Sequence, residues 1–322
     1  MRRLLLALLL LSGTARAAEI ADATGRTVTV PDHVARILPA GPPAAVLLEA
    51  LAPDLLLGFP NPVSPEARAL LAPEAAGLPT IPRLTGKQDV TEQVRALHPD
   101  LIVDYGDITP AYVALATGTQ EKLGVPTLLL DGTLAETPHA LRLLGAALHR
   151  EQRADTLAKL AEALLALPVP AQPRTVVYLR GSNDLRALAP GGTISDVFSR
   201  LGWKLLAPPG EGTFRPVTIQ QIVALDPDVL LFGDPRMRAV VEGSDAWRAQ
   251  RAVRTGQAFV VPAQPFGWVE EPPSLNRLLG LAWLAGHEAA ALDAAFGAVV
   301  YGHAPSTAEL AAIADATRPL PP

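Results

Sequence analysis

Two segments of the sequence, residues 90–107 and 217–234, share one pattern. The first reads VTEQVRALHPDLIVDYGD and the second reads VTIQQIVALDPDVLLFGD. Both predict a short helix, a Pro-Asp turn, a buried strand and a Gly-Asp pair, because proline drives the residue before it out of the helical region. A match of this length indicates a structural repeat, so we expect the chain to fold as two similar halves.

Apolar strands and helical segments alternate in both halves. The predicted strands include LIVDYG and TLLLDG in the first half, and TVVYLRG and VLLFGD in the second. Strands that are separated by helices indicate βαβ units and parallel pairing. We therefore predict an α/β protein of two Rossmann-like lobes, each with a mainly parallel sheet.

Residues 137–168 interrupt this alternation. Alanine and leucine recur there at helical spacing, Thr137 and Pro138 suit a helix start, and PVPAQP closes the run. The pattern predicts one continuous helix, about 45 Å long. It would join an N-terminal lobe of residues 18–136 to a C-terminal lobe of residues 169–322.

The first 17 residues have the pattern of a secretory signal peptide. Arg2 and Arg3 precede an apolar run at 4–11, and the ARA sequence that ends at Ala17 supplies small residues for cleavage. The apolar run is far shorter than the roughly 20 residues that a bilayer requires. We expect cleavage near Ala17 and a periplasmic protein. The sequence has no cysteine, which excludes disulfides, thiolate metal ligands and a lipid-anchoring cysteine.

Standard catalytic and phosphate-binding motifs are missing from the sequence. It has no GxxxxGK[ST], GxSxG or HExxH pattern and no GxGxxG after a strand, and its six histidines are scattered. The net charge of −5 gives no reason to expect a nucleic-acid partner. These features favour a binding protein over an enzyme. The alternative is an exported enzyme that uses Asp104, Tyr105 and Glu270 as acid–base groups.

The candidate binding residues lie in the loops that follow predicted strands, because parallel sheets bind ligands at the carboxyl ends of their strands. Arginine binds carboxylates and other oxyanions, and aromatic rings cover planar or apolar surface. In FGWVEEPP, at 266–273, two aromatic residues adjoin two acids and two prolines, which predicts a fixed cleft wall. The candidates are Arg83, Tyr105, Tyr178, Arg180, Arg215, Phe266, Trp268 and Glu270.

The sequence after the signal peptide resembles the periplasmic substrate-binding proteins of metal-chelate ABC importers, the two-lobed class with a helical backbone. The resemblance covers essentially the whole mature chain. It rests on IADATGRTVTVPDHVARILPAG, VRALHPDLIVDYG, IVALDPDVLLFGD, the long helix and PFGWVEEPPSLNRLLGLAWL.

This resemblance implies a shallow cleft between two lobes and a partner in the inner membrane. The loaded protein, which we expect to be a monomer, would dock on an ABC permease, with its ATPase, through one acid on each lobe. Glu74 and Glu92 are the candidates on the first lobe. The second lobe carries Gln220 and Gln221 where the repeat has Glu92 and a glutamine, so its docking acid stays open.

The same family takes up ferric siderophores, haem, cobalamin and, in some branches, molybdate or tungstate. Aromatic and arginine side chains together favour an iron(III) chelate of the siderophore type. A molybdate or tungstate oxyanion, which needs a smaller cleft rich in donors, is the main alternative. Haem is less favoured because the candidate loops contain no histidine, although Tyr105 is a possible iron ligand. We expect no intrinsic cofactor, only a bound metal chelate or oxyanion.

Overall fold

The computed structural model describes residues 18–85 and 88–321, so the predicted signal peptide lies outside the described residues. The first lobe opens with an antiparallel hairpin of β1 (Ala18–Ala21) and β2 (Thr27–Val30). Its sheet consists of β3 (Ile37–Pro39), β4 (Leu101–Gly106) and β5 (Thr127–Asp131), which pair in that order and run parallel. Its helices are α1 (Pro42–Leu51), α2 (Pro65–Arg68), α3 (Pro73–Ala76), α4 (Thr91–Ala96) and α5 (Pro110–Leu123), with a 3₁₀ turn at Pro53–Leu55.

The helical connection between the lobes is present, but the prediction of one continuous helix over 137–168 is wrong. The chain forms α6 (Thr137–Ala147) and α7 (Glu151–Leu165), and His149 between them has a left-handed φ of 55°. Arg142 on α6 pairs with Asp155 and Glu162 on α7, which shows that the chain turns back on itself.

The physical reason for this break is a close crossing of the two helices. A Cβ at Gly145 would lie only 2.2 Å from the Cβ of Ala154, so the glycine is what lets α6 and α7 approach. Both helices bury one apolar face, and the spacing of alanine and leucine is the same on either side of the turn. The periodicity therefore gives no sign of the break.

The second lobe, which follows α7, contains a mixed sheet. Strands β6 (Thr175–Arg180), β8 (Lys204–Leu205), β10 (Val229–Phe232) and β11 (Ala258–Val260) are parallel, and β10 lies between β6 and β11. Strands β7 (Arg186–Leu188) and β9 (Phe214–Pro216) extend the sheet beyond β6 in antiparallel pairing. This agrees with the predicted α/β class and its mainly parallel sheets.

Eight helices and one 3₁₀ turn are described in the second lobe. They are the 3₁₀ turn Thr193–Ser195, α8 (Asp196–Arg200), α9 (Ile219–Leu225), α10 (Met237–Glu242), α11 (Asp245–Arg248), α12 (Arg251–Arg254), α13 (Arg277–Leu284), α14 (Ala289–Val300) and α15 (Thr307–Ala316). One hydrophobic cluster takes side chains from both sheets, including Val103 of β4 and Leu231 of β10. The two lobes therefore share buried apolar contacts.

The repeated segments occupy equivalent places in the two lobes. In each, a short helix (α4 or α9) leads through a Pro-Asp turn into a buried strand (β4 or β10). The residue before the proline is left-handed in both copies, with φ of 45° at His98 and 38° at Asp226. Proline disfavours the right-handed helical conformation at that position, which explains why both helices end there.

The aspartate of each Pro-Asp turn holds the start of the neighbouring strand. Asp100 accepts a hydrogen bond from the backbone N–H of Arg36 (2.9 Å), just before β3. Asp228 accepts one from the backbone N–H of Thr175 (2.8 Å), the first residue of β6. The repeat thus fixes which strand lies beside β4 and which lies beside β10.

Candidate functional site

The loops after β3 and β11 meet between the two lobes around a cavity of about 230 Å³. Pro42, at the start of α1, and Phe59 line it from the first lobe, and Phe266 and Glu271 line it from the second. The rings of Phe59 and Phe266 lie 6.3 Å apart between centroids. This cavity marks the carboxyl edge at which ligands bind in parallel α/β sheets.

A buried carboxylate holds an arginine at the carboxyl end of β6. Glu270 is fully buried and accepts hydrogen bonds from Nε of Arg180 and from the hydroxyl of Tyr178, each at 2.7 Å. A second guanidinium nitrogen of Arg180 also donates to Glu270. Burial alone would lower the pKa of Arg180, but the adjacent Glu270 carboxylate raises it above its usual value. Arg180 is therefore a fixed cation.

The outer part of the Arg180 guanidinium is available to a ligand. Its side chain is 36% exposed, and its carbon centre lies 4.2 Å from the ring centroid of Phe214. Within the described part of the chain, Nη1 of Arg180 makes no hydrogen bond. A guanidinium that is held on one edge by a carboxylate and on one face by a ring can offer its remaining N–H groups to an oxyanion.

Arg83 and the end of β4 contribute polar groups from the first lobe. Arg83 is exposed, and its Nε donates to the hydroxyl of Thr85 (2.8 Å), which lies beside Gly41 at the start of α1. Asp104 is almost fully buried on β4. Burial raises the pKa of Asp104 to about 6, and the backbone N–H of Tyr105 and the Arg83 charge oppose that rise.

Arg277 fastens the two lobes together beside this site. It is fully buried and donates from Nε to the carbonyl of Ser274 (3.0 Å) and from its other nitrogens to the carbonyls of Thr193 and Gly132. The Ser274 hydroxyl in turn donates to the carbonyl of Pro43 on α1 (2.8 Å). The sequence favours a structural role for Arg277, which the structure confirms, but it does not predict the three carbonyl partners. Its only signal was a lone charge at the start of the apolar segment RLLGLAWL.

The prediction that Trp268 faces the ligand is wrong in this structure. Trp268 is fully buried, and its ring packs edge-on against Trp283 at 6.3 Å. The loop folds inward because the backbone N–H of Trp268 bonds to Pro262 (3.0 Å) and that of Gly267 bonds to Glu271 (2.6 Å). The loop is fixed as predicted, but it turns its larger aromatic ring into the core.

Two other predicted aromatic contacts are also buried. Tyr105 is 1% exposed and its hydroxyl lies 3.0 Å from that of Thr137, so it contributes to the core instead of the cleft. Tyr178 is also buried, and its hydroxyl donates to Glu270, which in turn binds Arg180. Phe266 does line the interlobe cavity. The structure thus brings Tyr178, Arg180 and Glu270 together, and the Glu270 carboxylate holds the Arg180 guanidinium in position.

The remaining predicted residues make no hydrogen bond to this cluster within the described part of the chain. Arg215 is half-buried, donates to the carbonyl of Pro208 (2.8 Å), and leaves its buried Nε without a partner. Glu74, at the start of α3, and Glu92, on α4, are both exposed, and Glu92 pairs with Arg95 on its own helix. Their role in docking stays a prediction.

Residues 18–85 and 88–321 contain neither a metal-binding cluster nor a membrane-spanning helix. No group of three or more histidine, aspartate or glutamate side chains in these ranges is arranged to hold a metal ion. No helix there combines the length and apolar character needed to cross a bilayer.

Residues 72–265 match the sequence pattern of a family described as periplasmic binding protein. The chain belongs to this family. No protein in the curated comparison set matches the sequence. Because it belongs to this family, this periplasmic binding protein is a solute-binding protein and not an enzyme. Binding proteins of its class work outside the cytoplasmic membrane and deliver ligands to ABC permeases.

Solved structures share the fold of this periplasmic binding protein at low sequence identity. An ABC transporter solute-binding protein from Sulfurospirillum deleyianum is 22% identical, with a TM-score of 0.81 over 93% of this chain and 99% of its own. The molybdate-bound periplasmic binding protein MolA of Haemophilus influenzae is 18% identical, with a TM-score of 0.67 over 90% and 99%. The haem-binding protein RhuT of Roseiflexus is 20% identical, with a TM-score of 0.56 over 79% and 97%.

Proposed function

We propose that this periplasmic binding protein captures a metal-containing anion in the interlobe cleft and delivers it to an ABC permease. The observation that carries the proposal is Arg180, which Glu270 and Phe214 hold at the carboxyl end of β6. A pre-positioned guanidinium loses little conformational entropy when an anion binds. We also propose that the exposed Arg83 of the first lobe is a second cation for the same ligand.

A compact oxyanion, with molybdate or tungstate as the type, fits this cleft better than a large chelate does. Arg277 and Ser274 join the two lobes through buried hydrogen bonds, which favours a small ligand between them. Arg180 does not line the cavity of about 230 Å³, so that volume does not set the size of the ligand. The case for a bulky siderophore rested on aromatic cleft walls, and Tyr105 and Trp268 are buried. The structure of Haemophilus influenzae MolA, which shares this fold, contains bound molybdate and supports this choice.

A ferric siderophore remains the second candidate, because some aromatic surface does face the cleft. Phe266 and Phe59 line the interlobe cavity, and Phe214 lies partly exposed under Arg180. A negatively charged ferric complex would use the same guanidinium and cover these rings. Haem and cobalamin are larger metal chelates that belong with the siderophore as alternatives to an oxyanion.

For delivery, we propose that Glu74 and Glu92 contact the permease. Both lie on the surface of the first lobe, and an exposed carboxylate can exchange its partner at little cost. In the second lobe, Gln221 closes the capping box of α9 with Thr218, so it is already engaged. The second-lobe contact therefore needs another residue.

The test is calorimetric titration of the metal-free protein with molybdate, tungstate, sulfate and a ferric siderophore, together with metal analysis of protein from its native periplasm. Arg180→Gln should weaken binding of the preferred anion by about tenfold to a hundredfold, the effect of losing a charge-assisted hydrogen bond. The matched control is Arg251→Gln, because Arg251 is also a carboxylate-paired arginine, bound to Asp226 and Asp228, but at the amino end of β10.

Each outcome distinguishes the candidates. Tight molybdate or tungstate binding that Arg180→Gln weakens, with no response to the siderophore, supports the oxyanion proposal. Co-purified iron with binding of the siderophore alone moves the assignment to the chelate. Equal affinity in wild type and Arg180→Gln for every ligand that binds would reject Arg180 as the anion-binding group.

A further inference from the structure

A second cavity, of about 590 Å³, lies between the two last helices and the segment that follows β11. Its wall is mostly apolar and includes Val260, Val261, Pro265 and Ile313. It shares residues 263–265 with the interlobe cavity, so that segment forms a wall of both. A volume between about 300 and 1,000 Å³ is typical of small-molecule sites.

A carboxylate without a partner lines this apolar cavity. Asp293 on α14 is 8% exposed and makes no hydrogen bond or ion pair within the described part of the chain. Burial raises the pKa of Asp293 to about 6, and the nearby Glu309 adds to the rise. At neutral pH the group is therefore mostly ionised. An ionised, unpaired carboxylate in an apolar wall is costly unless a cation completes it.

The other polar groups at the cavity also favour a cation. Glu66 and Glu309 border it, and none of the described residues that line it is lysine or arginine. His303 lines it as well, but Nε2 of its ring lies 3.0 Å from the carbonyl of Leu70, so that nitrogen is a donor to the backbone. The hydroxyl of Tyr301 has no hydrogen-bond partner within the described residues, so it can accept a hydrogen bond from a ligand.

We propose that this cavity binds a small organic cation with an apolar body and one ammonium group, and that the ammonium pairs with Asp293. The apolar wall would bury the body, and Glu309 and Glu66 would add favourable charge at the rim. Arg180 and Glu270 do not line this cavity, so amine binding here and anion binding at Arg180 are tested independently.

The experiment is calorimetric titration of the full mature protein with primary amines that carry hexyl, cyclohexyl and phenylethyl bodies, beside the alcohols of the same skeletons. At pH 7.5 an amine should bind at least about tenfold more tightly than its alcohol, the effect of a charged hydrogen bond. Asp293→Asn, which keeps the size of the side chain, should remove that preference. Asp315→Asn is the matched control, because Asp315 is an exposed acid near the end of α15 that pairs with Arg318.

A second variant guards against a folding defect in Asp293→Asn. Ala316→Phe places a ring into the cavity and leaves Asp293 unchanged, so it should weaken amines and alcohols alike. The proposal is overturned if amines and alcohols bind equally, if Asp293→Asn keeps the preference for amines, or if no amine in the panel binds saturably at millimolar concentrations.

Discussion

Asp107 of the first lobe accepts a hydrogen bond from the backbone N–H of Thr193 in the second lobe, at 2.6 Å. The carbonyl of the same Thr193 accepts a hydrogen bond from Arg277. Thr193 is therefore held through both of its backbone groups, at a point where Arg277 also reaches Gly132 of the first lobe. Because buried polar groups are costly to leave unpaired, we expect these bonds to restrict the lobes to small relative movements.

The first prediction follows from Arg277. Arg277→Met keeps an unbranched side chain of similar length but removes the donors to three backbone carbonyls. We expect the free energy of unfolding to fall by about 3 kcal/mol or more, as measured by urea denaturation. The control is Arg200→Met, since exposed Arg200 donates to a single carbonyl, that of Leu165. Equal losses in the two variants would contradict the role given to Arg277.

The second prediction compares two helical glycines. A Cβ at Gly280 on α13 would lie 2.0 Å from the carbonyl oxygen of Trp268, whereas a Cβ at Gly118 on α5 would meet nothing within 4 Å. Gly280→Ala should therefore destabilise the protein, because the helix or the Trp268 loop has to move. Gly118→Ala should raise stability by about 0.5–1 kcal/mol through its better helix propensity.

Thermal denaturation of both glycine variants checks this pair. The melting temperature should fall for Gly280→Ala and rise for Gly118→Ala. A neutral Gly280→Ala would mean that α13 does not pack against the backbone of Trp268 as closely as described.

The third prediction concerns pH and Glu49, which is fully buried on α1. Burial raises the pKa of Glu49 from 4.5 to about 8, although the backbone N–H of Ala72 and the charge of Arg153 oppose the rise. The folded protein then binds a proton at Glu49 that the unfolded chain releases above pH 4.5. The stabilisation is complete below that pH and is lost as the pH rises to about 8.

Chemical denaturation between pH 6.5 and 8 tests whether the free energy of unfolding falls as the pH rises. Wild type should lose up to about 1.4 kcal/mol per pH unit from this one group, with the slope decreasing near pH 8. Glu49→Gln should flatten the dependence, while the exposed Glu92→Gln should leave it unchanged. A Glu49→Gln variant that keeps the wild-type slope would show that Glu49 ionises normally in the folded protein.

The fourth prediction uses the repeat. Asp100→Ala and Asp228→Ala each remove the acceptor that ties a Pro-Asp turn to the start of the neighbouring strand, β3 or β6, and each should cost about 1 kcal/mol or more in the free energy of unfolding. Asp245→Ala, which removes an acid exposed on α11, is the control and should cost less. A loss in only one of the two repeat variants would mean that the turns are alike in shape but not in energetic role.

The sequence by itself determined the class of fold and the position of the repeats. Strand alternation and the proline before each aspartate act locally, so VRALHPDLIVDYG and IVALDPDVLLFGD could be interpreted without knowing what surrounds them. It also placed Arg180 and Glu270 among the candidates, although as separate loop residues. Their pairing joins positions 90 residues apart, which no spacing rule predicts.

Only the tertiary structure decided which side chains face the cleft. Trp268 and Tyr105 have the residue types of a binding wall, but long-range packing against Trp283 and Thr137 buries them. The sequence did not predict the turn at His149, because helical periodicity is the same on both sides of it. Arg277 donates a hydrogen bond to the carbonyl of Gly132, which lies 145 residues away in the sequence. Local sequence fixes conformation, whereas burial and partners depend on how distant segments pack.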